Sequence, residues 1–139
     1  TENAVPLTIS DQPHVFVRNN IFYSTRAKYR YPGRPVFENN VFFGAHQVHD
    51  REGLREDPML VNPGPPKDGY EHANNYKLRP GSPCKDAGMR IADNGGRDFW
   101  GNPLYNGKPD IGAHESARSE NAGKHAPGRS AHDVTTHTR

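Results

Sequence analysis

The chain has 139 residues, a formal net charge of +2 and a hydrophobic content of 32%. That apolar fraction lies well under the usual ~45–50% of a globular domain, so the sequence predicts one small core with long loops. The scattered Lys and Arg residues argue against nucleic-acid binding, no apolar run is long enough to span a membrane, and one cysteine cannot form an internal disulfide.

Two similar phrases are the first strong signal along the chain. They read VFVRNNIFYS (15–24) and PVFENNVFFG (35–44), and they align without a gap. Short runs rich in Val, Ile, Phe and Tyr that end in Gly, Pro or Ser are typical of strands. A period of about twenty residues predicts a solenoid in which each phrase is one coil of a parallel β-helix, and we expect a partial coil at 4–9.

Each phrase carries a pair of asparagines at its centre, namely Asn19, Asn20, Asn39 and Asn40. In stacked coils, an inward asparagine at a corner can bond the amide of the neighbouring coil and form a ladder. Asparagine also tolerates the left-handed backbone that a sharp corner requires. We interpret the four residues as structural; two unrelated turns are the alternative.

The loops that follow the two phrases, 25–34 and 45–56, carry clustered basic and acidic side chains. If the phrases are adjacent coils, these loops lie side by side and can border a substrate groove. A plain solvated loop is the alternative, since the spacing of the His and acidic residues matches no metal-binding signature. The candidate groove residues are Arg26, Lys28, Arg30, His46, His49, Asp50 and Arg51.

The second half of the chain is rich in Gly and Pro. We expect strands at 57–63 (DPMLVNP) and 76–79 (YKLR), then turns, with Phe99 and Trp100 closing the interior of the solenoid. Residues 116–139 contain one large aliphatic residue, and such a segment cannot bury enough surface to offset its ordering entropy. We predict a disordered, flexible polar tail there.

Four ordered motifs carry a resemblance to a known group of proteins: DPMLVNP, YKLRPGSPCKDAG, RDFWGNPL and KPDIGAHE. Their order and spacing resemble the C-terminal end of right-handed parallel β-helix proteins of the pectate-lyase-like superfamily. The sequence departs from the usual pattern at Asn62, Cys84, Lys85 and His114. The resemblance implies an all-β chain with terminal β-helix coils at 1–56, a strand and loop-rich capping region at 57–115, and the tail at 116–139.

Three acids of the capping region lie in turn contexts, where carboxylates can bond nearby backbone N–H groups. We therefore interpret Asp86, Asp98 and Asp110, together with Trp100, as structural residues.

The resemblance implies a secreted or cell-surface protein that degrades polysaccharides as a lyase or a glycoside hydrolase. With only the last two or three coils present, we expect this chain alone to be inactive and to pack on the N-terminal remainder of the β-helix or on a partner chain. The polysaccharide can be anionic; no cofactor is evident, although a lyase parent can use Ca²⁺. A non-catalytic adhesion or carbohydrate-binding β-helix, and a small independent binding domain, are the alternatives.

Overall fold

The computed structural model describes residues 14–23, 34–44, 48–64, 69–105 and 107–117. Its regular elements are β1 (Phe16–Arg18), β2 (Ile21–Tyr23), β3 (Val36–Glu38), β4 (Val41–Phe43) and one 3-10 helix (Gly69–Tyr76). The described regular structure is thus all-β apart from that helix, as the sequence predicts. Within the same ranges, no helix is both long and apolar enough to cross a membrane.

The two phrases pair with each other in parallel. Strand β1 lies beside β3 and strand β2 beside β4, and every residue pairs with the one at the same position of the other phrase, as Phe16 does with Val36 and Ile21 with Val41. Equivalent side chains therefore stack on one another, as expected if each repeat of twenty residues is one coil of the stack. We call residues 14–23 the first repeat and 34–44 the second repeat.

A third, shorter segment continues the stack beyond the second repeat. Phe37 forms a parallel bridge with Asp50, and Val41 forms one with Leu54. The Leu54 amide donates to the Asn40 carbonyl, and the Phe42 amide donates to the Leu54 carbonyl. The second repeat consequently has a neighbour on each side, whereas the described structure covers the first repeat on one side.

Strands β2 and β4 separate two apolar clusters. On one face, Phe42 packs with Phe37 and Val48, and the rings of Phe22 and Phe42 stack with centroids 4.8 Å apart. Because alternate residues of a strand point to opposite faces, Val41 faces the other way. There it is 0% exposed, in a cluster with Leu60, Leu78, Cys84 and Ile111. Burial of both faces is typical of parallel sheets.

The described residues of 57–115 therefore cover the side of the stack, and we call them the lateral segment. Its buried side chains pack on the outward face of β2–β4, which is itself apolar and needs a cover. Of the two residues expected to close the interior, Phe99 does not, because it is 57% exposed. Trp100 is partly buried, against Phe99 and His114. Ile111 and Cys84, each 0% exposed, take the covering role.

The predicted strands of the lateral segment are reduced to one antiparallel bridge between Leu60 and Leu78. Tyr76 ends the 3-10 helix instead of beginning a strand, and its hydroxyl donates to the Gly64 carbonyl at 2.9 Å. The sequence of this helix, GYEHANNY, is mostly polar and has no helical apolar period, so sequence reasoning missed it. The partial coil at 4–9 lies outside the described residues, as does the predicted tail except for Ser116 and Ala117.

Candidate functional site

The first asparagine of each repeat forms the corner. Asn19 and Asn39 have φ of 54° and 55°, in the left-handed region. Their side chains point toward the lateral segment: Asn19 donates to the Met89 carbonyl at 2.7 Å and accepts from the Met89 amide at 2.9 Å, and Asn39 donates to the Ala87 carbonyl at 3.1 Å. These residues thus turn the chain and fasten the lateral segment to both repeats.

The second asparagine of each repeat forms a ladder along the stack. Asn40 is fully buried, and its amide oxygen accepts from the Asn20 backbone amide at 2.9 Å and from the Asn20 side chain at 3.1 Å. Its amide nitrogen donates to the Val17 carbonyl at 2.8 Å and to the Asp50 carboxylate at 2.8 Å. Every polar group of Asn40 is therefore satisfied inside the structure.

Asp50 provides the next rung of this ladder. Its Oδ2 atom also accepts from the Asn40 backbone amide at 3.0 Å. Gly53 directly precedes Leu54, as Asn40 precedes Val41, so glycine occupies the asparagine position of the third segment. A Cβ at Gly53 would lie 2.8 Å from the Asp50 side chain. The carboxylate therefore fills the space that a third asparagine would take.

The position of Asp50 in the ladder sets it apart from the other candidate groove residues. His49 and Arg51 are exposed beside Asp50, but the Asp50 carboxylate is turned into the ladder. Its Oδ1 atom is buried and has no hydrogen-bond partner among the residues that the structure describes. A small cleft of about 140 Å³ lies at this corner, lined by Glu38, Arg51 and Glu52 among others. Four other candidates fall outside the described residues: Arg26, Lys28, Arg30 and His46.

The acids of the lateral segment organise its turns. Asp98 accepts from the amides of Trp100, Asn102 and Glu115 at 2.7–2.9 Å and from the Asn102 side chain at 2.8 Å. Burial favours the neutral carboxyl, but these hydrogen bonds to the charged form outweigh it and lower the pKa of Asp98. Such a carboxylate is committed to holding the backbone.

Asp110 and Asp86 act together in a second turn. The buried Asp110 carboxylate accepts from the Asp86 amide at 2.8 Å and from the Ser116 amide at 2.7 Å. Asp86 itself has a φ of 53° and contributes a left-handed corner. Glu115 accepts from the Asp110 amide at 3.0 Å, and burial raises the pKa of Glu115.

An aromatic cluster lies on the surface of the lateral segment. The Tyr70 and Phe99 rings are nearly parallel with centroids 6.2 Å apart, and Phe99 meets Trp100 edge-on at 5.0 Å. Trp100 also packs at a right angle to His114, whose Nδ1 accepts from the Leu78 amide at 3.1 Å. Burial lowers the pKa of His114, which favours its neutral form. Sequence reasoning missed Tyr70, because an aromatic residue in a turn-rich stretch has no pattern to mark it.

A larger cleft of about 660 Å³ separates the first repeat from the lateral segment. Its walls include Asn20, Ile21 and Tyr23 on one side and Leu60 and Tyr76 on the other. Among the described residues, no group of three or more His, Cys, Asp or Glu side chains is arranged to hold a metal ion. No protein-family model matches the chain, and no curated protein is significantly similar to it.

Proposed function

We propose that this chain is the C-terminal part of a right-handed parallel β-helix protein that acts on polysaccharides, in which it supplies the last coils and the segment that covers their side. The observation that carries the proposal is the in-register parallel pairing of the two repeats, with the continuous ladder Asn20–Asn40–Asp50 beside it. Stacked short strands with polar ladders at their corners are what a solenoid requires.

The side of the first repeat that the described residues leave uncovered supports the existence of a preceding coil. Ile21 and Phe22 are only partly buried, whereas Val41 and Phe42, at the same positions of the second repeat, are 0% and 2% exposed. The Asn20 side chain donates to the Arg18 carbonyl and to Asn40. Among the described residues no group donates to its amide oxygen, which is the acceptor that a preceding rung would use. The N-terminal remainder of the β-helix, or a partner chain, would occupy this side.

The carboxylates support a structural role for this part of the parent protein. Asp50, Asp98 and Asp110 all accept hydrogen bonds from backbone amides, so they are poorly suited to act as the paired acid and base of a glycosidase. In this proposal the reacting groups lie in the preceding coils, and the chain alone is inactive. Exposed His49 and Arg51 would border one end of the groove and suit an anionic polysaccharide.

We propose that the full-length protein is secreted or exposed on the cell surface, where it can reach polysaccharides. If its reaction is an elimination on a uronic acid, Ca²⁺ in the preceding coils would supply the charge that acidifies the proton next to the carboxylate.

The test is a polysaccharide array with the full-length protein that contains this chain. Each bound polymer is then assayed for unsaturated products, which report elimination, and for new reducing ends, which report hydrolysis. We expect binding that falls in the His49→Ala/Arg51→Ala variant and persists in Arg90→Ala, an exposed basic residue of the lateral segment. Binding without either product would select the non-catalytic alternative, and failure to bind any polysaccharide would contradict the proposal.

A further inference from the structure

The ladder of polar side chains has a direction. Each rung donates to the next rung along the chain: the Asn20 side chain donates to the Asn40 amide oxygen, and the Asn40 side chain donates to the Asp50 carboxylate. The backbone amides of Asn20 and Asn40 donate in the same direction. In each pair, therefore, the preceding rung supplies the N–H groups and the following rung supplies the oxygen.

Asp50 ends this series of donors. An amide side chain has N–H donors and an oxygen acceptor, whereas a carboxylate accepts hydrogen bonds and donates none. The Asp50 side chain can therefore accept from Asn40 but cannot donate to a further rung. Exposed Arg51 and Glu52 lie beside it, and charged side chains at the edge of a β-structure oppose pairing with another chain.

The first repeat presents the opposite chemistry. Asn20 is exposed where Asn40 is fully buried, and its amide oxygen corresponds to the acceptor that Asn40 offers to Asn20. The Val41 amide donates to the Asn20 carbonyl at 2.8 Å, and the Ile21 amide lies at the same position of the first repeat. A coil that continued this interface would thus need an N–H₂ group for Asn20 and a backbone carbonyl for Ile21.

The large cleft beside the first repeat has room for the next residue of such a coil. Leu60 packs against Val41 in the buried cluster, and Leu60 and Tyr76 also form one wall of the cleft of about 660 Å³, opposite Ile21. Equivalent residues of stacked coils lie about 4.8 Å apart, so the residue after the ladder position would lie over Ile21 and enter this cleft. The apolar walls favour a large aliphatic side chain there.

We propose that the ladder fixes the direction of stacking. The side of the first repeat that the described residues leave uncovered binds a coil with asparagine at the ladder position and a large aliphatic residue after it, and Asp50 closes the opposite end. A second copy of the chain cannot replace this coil, because the end that it would present carries Asp50 and lacks the N–H₂ donor. The identity of the partner as a coil of the same β-helix rests on the proposed function, whereas the need for a donor at Asn20 rests on the hydrogen bonds.

A chain with one more coil tests the proposal. Residues 15–34 are inserted a second time between His14 and Val15, and the copy carries either asparagine or aspartate at the position of Asn20. We expect the asparagine copy to raise the urea midpoint of the full chain. The aspartate copy should have an unfolding equilibrium constant about twofold to tenfold larger than the asparagine copy, the effect of one lost hydrogen bond. An unchanged midpoint with the asparagine copy, or equal unfolding constants of the two copies, would overturn the proposal.

Asn20→Asp in the chain of original length is a second test that needs no added coil. It removes the donor to Asn40 and should lower the urea midpoint. Asn94→Asp is the matched control, because Asn94 is exposed and its side-chain oxygen accepts from the Gly96 amide, a bond that aspartate can keep. A midpoint that falls no further in Asn20→Asp than in this control would overturn the direction of the ladder.

Sedimentation tests a second copy as the alternative occupant. We expect the chain to remain monomeric, and self-association that is lost in Asn20→Ala would assign the uncovered side to a second copy and overturn the proposal. Removal of residues 1–13 should lower the midpoint by less than the added coil raises it; an equal loss would assign this side to that segment instead. The polysaccharide array reports separately on the proposed function, because its variants at His49 and Arg51 leave the ladder donors intact.

Discussion

The first and second repeats have nearly the same sequence and very different environments. Val41 and Phe42 are almost fully inaccessible in the second repeat, while Ile21 and Phe22, at the same positions of the first, are only partly buried. The second repeat lies between the first repeat and the segment 48–54, whereas the first has the second on one side. How deeply a residue is buried in this fold thus depends on the neighbouring coils and not on the sequence of its own repeat, as expected for repeats that contact only their neighbours.

The largest expected difference between the repeats concerns their stacked phenylalanines. Phe42→Ala should lower the free energy of unfolding by about 3–5 kcal/mol, because it leaves a cavity in the apolar cluster that Phe42 forms with Phe37 and Val48. Phe22→Ala should cost clearly less, since part of that ring already meets solvent. Urea denaturation of the full chain measures both. Equal losses would show that the first repeat is as well covered as the second.

The second asparagine of each repeat, Asn20 or Asn40, should show the same order: the loss of unfolding free energy is larger in the second repeat, but both losses are smaller than those at the phenylalanines. Asn40→Ala should cost about 2–3 kcal/mol, because it leaves buried partners such as the Asn20 amide and the Val17 carbonyl unpaired. Asn20→Ala should cost about 1 kcal/mol, because its partners lie nearer to solvent. An Asn20→Ala loss as large as that of Asn40→Ala would contradict the less buried setting of Asn20 in the ladder.

The first asparagine of each repeat, Asn19 or Asn39, should show the opposite order, with the first repeat losing at least as much stability as the second. Asn19→Ala and Asn39→Ala should each cost about 1–2 kcal/mol, because alanine resists the left-handed backbone at both corners. Asn19 should cost at least as much as Asn39, since it makes two hydrogen bonds to Met89 where Asn39 makes one to Ala87. Glycine variants, which accept the same backbone, separate the strain from the lost bonds. A much larger loss at Asn39 would mean that overall burial, and not the hydrogen bonds at the corner, determines how much unfolding free energy is lost.

The smallest expected effect lies away from both repeats, in the pH dependence of the lateral segment. The folded pKa of Asp98 is lowered, so its contribution to stability is present above the unfolded pKa of about 3.9 and is lost as the pH falls through the folded value. Asp98→Asn should therefore reduce stability at neutral pH and flatten its decline in acid. Acid titration of the unfolding free energy tests this, and an unchanged acid slope would contradict it.

The sequence was sufficient for the features that repeat. Two aligned phrases predict parallel, in-register strands, and asparagine pairs predict left-handed corners, because both follow from local chemistry and period. The sequence could not show that Asp50 replaces an asparagine as a ladder rung, since the substitution depends on the missing side chain of Gly53. It also could not show that the lateral segment covers the side of the stack, because that arrangement depends on contacts between residues distant in sequence, such as Val41 and Ile111.

Nuclear Overhauser contacts between the backbones of the two repeats test the stacked arrangement most directly. In-register parallel stacking predicts contacts that join Ile21 to Val41 and Tyr23 to Phe43, together with slow exchange of the Val41 amide, which donates to the Asn20 carbonyl at 2.8 Å. Contacts that instead join Ile21 to Phe43 and Tyr23 to Val41 would mean antiparallel strands, and they would contradict both the ladder and the proposed β-helix.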